Sequence, residues 1–415
     1  MHFKTIHIAL SPNNTRRDTL LALGLLLFPW NWFSWKKGPA VKMLEDRFQD
    51  YLGAKYVKAV GSGREALLMI LEGLDLPKDA EVIIQSFTCM VVVNSILWSG
   101  CKPVYADIDE HYNLTAGEVE KKITAKTRVV IVQHTFGIPG NLDSLQKLCR
   151  EKGLILIEDC AHALGALSSG KPVGSRGELS FFSLGRSKVI SCVSGGMVVC
   201  NNEKYLPGLK KQEKLLKSTP AGQIFQNLLH PPVSTISKAL YGLSIGKLIL
   251  VASQKLKLIN LEVTPQEKKS VRPATFVAGL SNAMAKIALV QWSLLEEFNQ
   301  RRRTAAQYYF DHLRKGKKLD PALLKGAIFL RYPLLIKNPV EVRREARKTG
   351  IILGDWYSVP VAPADIDKIK SGYQAGSCKK TENFNTRILN LPTHHSLSAK
   401  DLKNITNLVN KYAED

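Results

Sequence analysis

The chain has 415 residues, 45% hydrophobic and 23% charged, which gives room for two or three globular domains and excludes a disordered tail protein or a fibrous repeat. Seven cysteines without regular spacing and without a C-x-x-C pair exclude a disulfide scaffold and a structural zinc site. Lys+Arg of 58 against Asp+Glu of 36 gives a net +22, a field that favours anionic partners: nucleic acid, an acidic membrane surface or phosphorylated small molecules.

Residues 16–35 open with paired arginines before an apolar run, which imitates an export signal. The run from Leu20 to Phe28 is too short to span a bilayer, and Trp30, Trp32, Phe33 and Trp35 follow in place of a small-residue cleavage site. The expectation is a short helix and an aromatic strip packed on the body. The alternative is interfacial membrane contact, because tryptophan beside Lys36 and Lys37 suits a headgroup layer.

From 38 to 200 strands and helices alternate. Helical spacing covers Leu44–Leu52, Ala66–Leu74, Val91–Ser99, Glu118–Ile123 and Leu142–Glu151. Between them lie strand-like runs at Tyr56–Val60, Glu81–Ser86, Pro103–Asp107, Val129–Gln133 and Leu154–Glu158, followed by Ser180–Ser183 and Gly196–Cys200. This alternation predicts an α/β fold with a mostly parallel sheet covered on both faces. Ligands of such sheets bind beyond the carboxyl ends of the strands.

Residues 203–273 carry 12 Lys/Arg and 4 Asp/Glu, a local +8, and include an apolar run from Ile236 to Leu261 broken by Lys238, Lys247, Lys255 and Lys257. This is no clean transmembrane helix. It reads as a basic excursion from the core fold, packed with its apolar side inward or lying on anionic lipid. After Pro273 the pattern becomes helical over Met284–Phe298 and Arg301–Leu313. Strand-like runs at Ile328–Pro333 and Ile388–Leu391 and a last helix over Ala399–Tyr412 follow. The organisation expected is an N-terminal arm over 1–37, a large α/β domain over 38–290 and a smaller α+β domain over 291–415.

Four strand ends carry polar groups. Val60-Gly61-Ser62-Gly63-Arg64 leads into a helix, whose first amides can bind phosphate. Glu158 and Asp159 end a buried strand and need a positive partner: a cofactor pyridinium or a structural cation. Lys188 follows the next strand end at Ser183 and could act as an amine nucleophile if its surroundings deprotonate it. Ser194-Gly195-Gly196 permits close backbone approach.

The order and spacing of these elements resemble the DegT/StrS-type sugar aminotransferases, pyridoxal-phosphate enzymes of fold type I. The resemblance runs from Trp35 to the C-terminus. It rests on W-K-K-G at 35–38, Y-L-G-A-K-Y-V at 51–57, S-G-R-E-A-L at 62–67 and S-F-T at 86–88. It continues with P-V-Y-A-D-I-D at 103–109, I-E-D-C-A-H at 157–162, F-S-L-G-R-S-K at 182–188 and G-G-M at 195–197. M-A-K-I-A-L-V-Q at 284–291 and L-N-L-P-T-H-H-S-L-S at 389–398 complete it.

The resemblance implies a seven-stranded central sheet and pyridoxal 5'-phosphate as cofactor. It assigns Lys188 to covalent attachment and proton transfer, and Asp159 to the ring nitrogen. His162 falls to the ring hydroxyl or phosphate, and Ser183, Gly63 and Arg64 to the phosphate. Cys89 stands where the family commonly has an aromatic that stacks on the ring, and Arg64 where it usually has threonine. Ser194 replaces an acid, and a histidine common near Y-x-V-P is missing from Tyr357-Ser358-Val359-Pro360. Ser281-Asn282-Ala283-Met284 replaces an Asn-x-Arg-Met element that reaches the neighbouring site of a dimer; Ser281 or Asn282 keeps the polar function. Lys188 argues against the branch that has histidine there and dehydrates its substrate.

The expected activity is transfer of an amino group, from glutamate, to a nucleotide-linked keto sugar in amino-sugar or cell-surface polysaccharide biosynthesis. The expected setting is a cytoplasmic homodimer without a nucleic-acid partner; peripheral contact with an anionic membrane is the alternative to packing of the two apolar segments on the protein. The alternatives are a pyridoxal-phosphate enzyme for another carbonyl or lipid-linked sugar substrate, and a non-catalytic membrane-associated protein on the same fold.

Overall fold

The computed structural model describes residues 5–243, 245–273, 277–317 and 319–415. Seven strands build the centre: β1 (Tyr56–Val60), β2 (Glu81–Gln85), β3 (Lys102–Ala106), β4 (Thr127–Gln133), β5 (Ile155–Asp159), β6 (Leu179–Ser183) and β7 (Gly196–Cys200). Their order across the sheet is β1-β7-β6-β5-β4-β2-β3. All neighbours pair in parallel except β7, which is antiparallel to both β1 and β6. Two short strands, Ala278–Gly279 and Lys217–Ser218, extend the sheet beyond β1, making nine in all.

The strands are apolar on both faces because helices cover both. Successive side chains point to opposite sides. Phe182 packs with Phe48 and Met284 under the helices Ala40–Leu52 and Asn282–Trp292, while Phe181 packs with Leu67 and Ile70 of the helix Gly63–Gly73. That last helix starts where it does because the Ser62 side chain accepts the Glu65 amide. The helix Leu142–Lys152 is capped by Asn141 and stopped by Gly153, whose φ of 64° is left-handed.

The C-terminal part is built on an antiparallel pair, Arg331–Leu335 with Ile388–Pro392, under the helices Leu295–His312, Pro339–Lys348 and Ala399–Tyr412. Ile6–His7 of the N-terminal segment pairs with Ile351–Ile352. The helical periodicity expected over Met284–Phe298 is two helices, interrupted at Ser293 and Leu294, and the second runs on through Asn299 to His312. Asn299 does not end the helix, because its side chain bonds to the Leu164 carbonyl and the Arg302 guanidinium. Pro333 sits inside a strand, which a two-stranded edge tolerates.

The apolar run from Ile236 to Leu261 is also divided. The helix Ala221–Ala239 is followed by a turn and the helix Ile245–Lys255. Among the described residues no helix is long and apolar enough to cross a membrane.

Candidate active site

The ends of β1, β5 and β6 and the start of β7 lie side by side, and the polar residues named from the sequence cluster there. Gly63 opens its helix against Ser183 at the end of β6. A Cβ on Gly63 would lie 2.7 Å from Ser183 Cβ, and one on Gly196 would lie 2.3 Å from the Ser62 carbonyl oxygen. Glycine at 63 and 196 lets the helix N-terminus, the Ser183 hydroxyl and β7 approach closely enough to hold a small anion.

The two carboxylates of β5 separate by strand alternation. Glu158 points into the protein. It accepts the amides of Gly174, Arg176 and Gly177 at 2.7, 2.8 and 2.6 Å, and lies 3.0 Å from His134 Nε2. Burial acts to raise its pKa, but His134 and these amides outweigh burial and hold it low. Cys160 lies with this pair, their ligand atoms within 4.8 Å of one another. Its thiol is pushed up by burial and by both carboxylates, and Glu158 is already saturated with donors, so the trio is structural.

Asp159 faces the site. It accepts the Ala161 amide at 3.0 Å, and burial raises its pKa against the pull of that amide, Lys188 and His134. A buried carboxylate with so little hydrogen bonding calls for a positive partner.

Lys188 follows β6 in a loop tied down by Asn13, which donates to the backbone carbonyls of Lys188 and Val189. Burial lowers the pKa of its amine, while Glu262, Asp159 and Cys89 act the other way. Its Nζ lies 5.2 Å from the Trp356 ring centroid. His162 stacks on Trp356 at 5.4 Å and 14°. Burial, with Lys188 and Arg331 nearby, lowers its pKa far below the ordinary 6.5, so it is neutral. Its Nδ1 accepts the Phe136 amide at 3.3 Å, which leaves the proton on Nε2 as a donor. Cys89 is half-buried, and its pKa is raised by burial.

Arg64 and Ser281 are engaged elsewhere. The Arg64 guanidinium pairs with Glu267 and donates to the Glu262 carbonyl at 2.7 Å, so its side chain serves the 262–267 segment rather than the glycine cradle. Ser281 caps the helix Asn282–Trp292 by accepting the Met284 amide, and Asn282 bonds to Ala40 and Ser34. Ser194, standing for an acid, donates to the Gly61 carbonyl at 2.7 Å.

Three residues join the site without having been read from the sequence. Glu262 accepts from Ser187 Oγ at 3.2 Å and supplies negative charge near Lys188, Arg186 and Arg331. Arg331 is buried, with Cζ 3.3 Å from the Trp356 centroid and Nη2 unpaired; burial lowers its pKa to about 10. Trp356 puts an indole beside Lys188. The readable signals were an arginine inside the apolar run 327–336, and a tryptophan just before Tyr357-Ser358-Val359-Pro360.

The sequence profile of the DegT/DnrJ/EryC1/StrS aminotransferase family matches residues 29–223 and 254–410. The chain belongs to this family. GDP-perosamine synthase of Vibrio cholerae is 38% identical over 173 residues, 41% of this chain and 47% of that enzyme. The chain thus matches about half the length of that relative. The dTDP-3-amino-3,6-dideoxy-alpha-D-galactopyranose transaminase of Aneurinibacillus thermoaerophilus is 25% identical over 378 residues, 90% of each chain. The crystal structure of ntda from Bacillus subtilis, with bound cofactor PMP, superposes with a TM-score of 0.70 at 18% identity, covering 98% of this chain and 84% of that one. The family fold is therefore shared over nearly the whole length. The family match omits 224–253, a narrower stretch than the 203–273 excursion expected from charge.

Proposed function

We propose that the chain is a pyridoxal-phosphate-dependent aminotransferase that moves an amino group from an amino-acid donor, glutamate being the expected one, to a nucleotide-linked keto sugar in amino-sugar biosynthesis. The observation that carries this reading is the convergence of Lys188, Asp159 and the Gly63–Ser183 cradle at adjacent strand ends. The residues fit the cofactor. The cradle is too tight for a Cβ, the lysine amine is made easier to deprotonate, and the buried carboxylate is short of donors. When bound, pyridoxal phosphate supplies the electron sink that takes up and passes on the amino group.

Each residue then has a task. Lys188 Nζ holds the cofactor covalently and, once released, moves a proton at the substrate carbon. Asp159 keeps a proton on the ring nitrogen. Ser183 Oγ and the amides of Gly63 and Arg64 bind the phosphate. Neutral His162 donates from Nε2 towards the ring hydroxyl. Arg331, with Nη2 unpaired, takes the anionic group of a substrate: the donor carboxylate or a sugar-nucleotide phosphate. Glu262 balances the cations around it.

The same reading includes a homodimer, but the 281–284 segment expected to reach the second site is buried in its own chain, with Ser281 capping its helix and Asn282 bonded to Ser34 and Ala40. Peripheral contact with an anionic membrane is a separate alternative, independent of the chemistry.

The test is turnover of glutamate with a panel of nucleotide keto sugars, followed by mass spectrometry of the amino sugar. The parent should yield product, and Lys188→Ala none, with no visible absorbance after saturation with pyridoxal phosphate. Normal turnover by Lys188→Ala, or no amino sugar from any panel member, would end the reading.

A further inference from the structure

Residues 1–28 and 224–253 lie outside the family match, and the helices within them, Arg16–Leu27 and most of Ala221–Ala239, belong together. The helices Arg16–Leu27 and Ala221–Ala239 pack side by side. Ser11 Oγ meets His230 Nε2 at 2.7 Å, Asn14 Nδ2 donates to the Pro231 carbonyl at 3.1 Å, and Thr19 and Thr235 share a 3.0 Å bond. The helix Ile245–Lys255 closes on the end of this pair. A Cβ on Gly246 would lie 2.0 Å from the Ser237 carbonyl oxygen, so only glycine allows the approach.

The layer buries polar side chains, Asp18, Asn227, Ser234, Ser237 and Ser253, beside apolar ones, Leu25, Leu26, Ile224 and Leu228, and still turns many further large apolar side chains outward. Of the 21 exposed large apolar residues among the described ones, 15 come from residues 20–33 and 225–261. On the helix Ile245–Lys255 the exposed stripe is Ile245, Leu248 and Val251, and the protein-facing positions are Gly246 and Ser253. A water-facing helix on a body has the reverse arrangement. Exposed apolar area concentrated in this way marks a contact surface.

Backbone and charge indicate what makes the contact. The carbonyls of Gly24, Leu25 and Leu26, at the end of the first helix, accept from Asn31, Trp35 and Trp32 side chains. These helix-end carbonyls therefore have partners without water, as a lipid boundary demands. Beside them Phe33 is 92% and Trp30 68% exposed. Lys36, Lys37, Lys247, Lys255 and Lys257 are exposed around the layer, and residues 5–37 and 221–261 contain a single carboxylate, the buried Asp18. A second copy of this chain docked face to face would bring like charges together. An anionic bilayer matches both the apolar face and the lysines.

We propose that the layer built by residues 16–37 and 221–261, only partly outside the family match, forms an interfacial docking face for anionic phospholipid, which holds the enzyme on a bilayer without spanning it. Such docking does not depend on the aminotransferase chemistry.

The test is co-sedimentation of the full chain with phosphatidylcholine–phosphatidylglycerol vesicles and with phosphatidylcholine vesicles, at low and high salt, with tryptophan emission recorded in parallel. Binding to the anionic vesicles at low salt and a blue shift of emission are expected, both lost at high salt and on neutral vesicles. Each lysine at such a surface is worth about fivefold in partitioning, so Lys247→Glu/Lys255→Glu should bind at least about 25-fold more weakly. Phe33→Glu and Leu248→Glu, both exposed positions, should weaken binding at least about tenfold by loss of apolar insertion. Turnover in lipid-free solution should stay at the parental level in all three variants. No binding of the parent at low salt would overturn the proposal, and so would equal binding by the variants. A smaller particle in light scattering for Leu248→Glu, with vesicle binding unchanged, would show instead that the face joins two copies of this chain. Intact turnover alongside failed docking would leave the catalytic reading standing.

Discussion

Glu158 and Asp159 are neighbours with opposite assignments, and substitution separates them. Glu158 accepts three backbone amides at 2.6–2.8 Å and pairs with His134, all in the interior. Glu158→Ala would leave those donors buried without an acceptor. At about 1–3 kcal/mol for each of the four donors, the loss comes to about 4–12 kcal/mol, against about 5–15 kcal/mol for a whole domain. The variant should not accumulate as folded protein. Glu158→Gln keeps the shape and one acceptor oxygen but turns an amide nitrogen towards N–H donors, and should lose about 2–4 kcal/mol. Asp159→Asn keeps an acceptor for the Ala161 amide and removes a charge that burial disfavours. Its stability without cofactor should change by less than about 1 kcal/mol, while kcat falls at least about 100-fold for want of a proton held on the ring nitrogen. Urea unfolding followed by circular dichroism, beside turnover of the same preparations, reads both effects. Parental stability of Glu158→Gln together with strong destabilisation of Asp159→Asn would refute the assignment.

Gly63→Ala should weaken pyridoxal-phosphate binding at least about tenfold, because the new Cβ meets Ser183 Cβ at 2.7 Å; equilibrium titration measures it, and an unchanged affinity would remove the cradle from the site. His7 is buried against Tyr241, and burial, with Lys238 nearby, lowers its pKa to about 4. Since the folded value is the lower one, its stabilisation is present above pH 6.5 and is lost as the pH falls towards 4, by about 3 kcal/mol. His7→Phe should flatten that part of the stability–pH curve, and an equal slope in the variant would exclude His7 as its source.

Much of the fold could be read directly. The runs Tyr56–Val60 and Gly196–Cys200 and the helix Ala399–Tyr412 have the expected bounds. In these elements local pattern and burial agree: the strands are short, mostly apolar runs under helices, and the last helix has a capping box at Ser398 and Asp401 and an apolar stripe. The errors fall where a side chain serves a distant partner. Asn299 looked like a helix end and is a mid-helix bridge to Leu164 and Arg302. The long basic stretch looked continuous and is broken, because the two helices in it turn back on each other through Gly246.

The site divides along the same line. Lys188, Asp159, Ser183 and Gly63 each stand next to a strand end, so a reader who knows that ligands sit there can find them one at a time. Arg64 stands there as well, and its position suggested the phosphate. Its guanidinium turns instead to Glu267 and the Glu262 carbonyl, some 200 residues away in sequence. The pairing is reciprocal. Glu267 is spent on Arg64 and on the Thr264 cap, which fixes the turn that presents Glu262 to Ser187 and to the cations around Lys188. Lys188, Arg186 and Arg331 are buried in one region, where Glu262 acts on all three, Asp159 on Lys188 and Asp355 on Arg331. The arginine that replaces the family's threonine thus acts at one remove: it holds the segment that carries Glu262 to these cations.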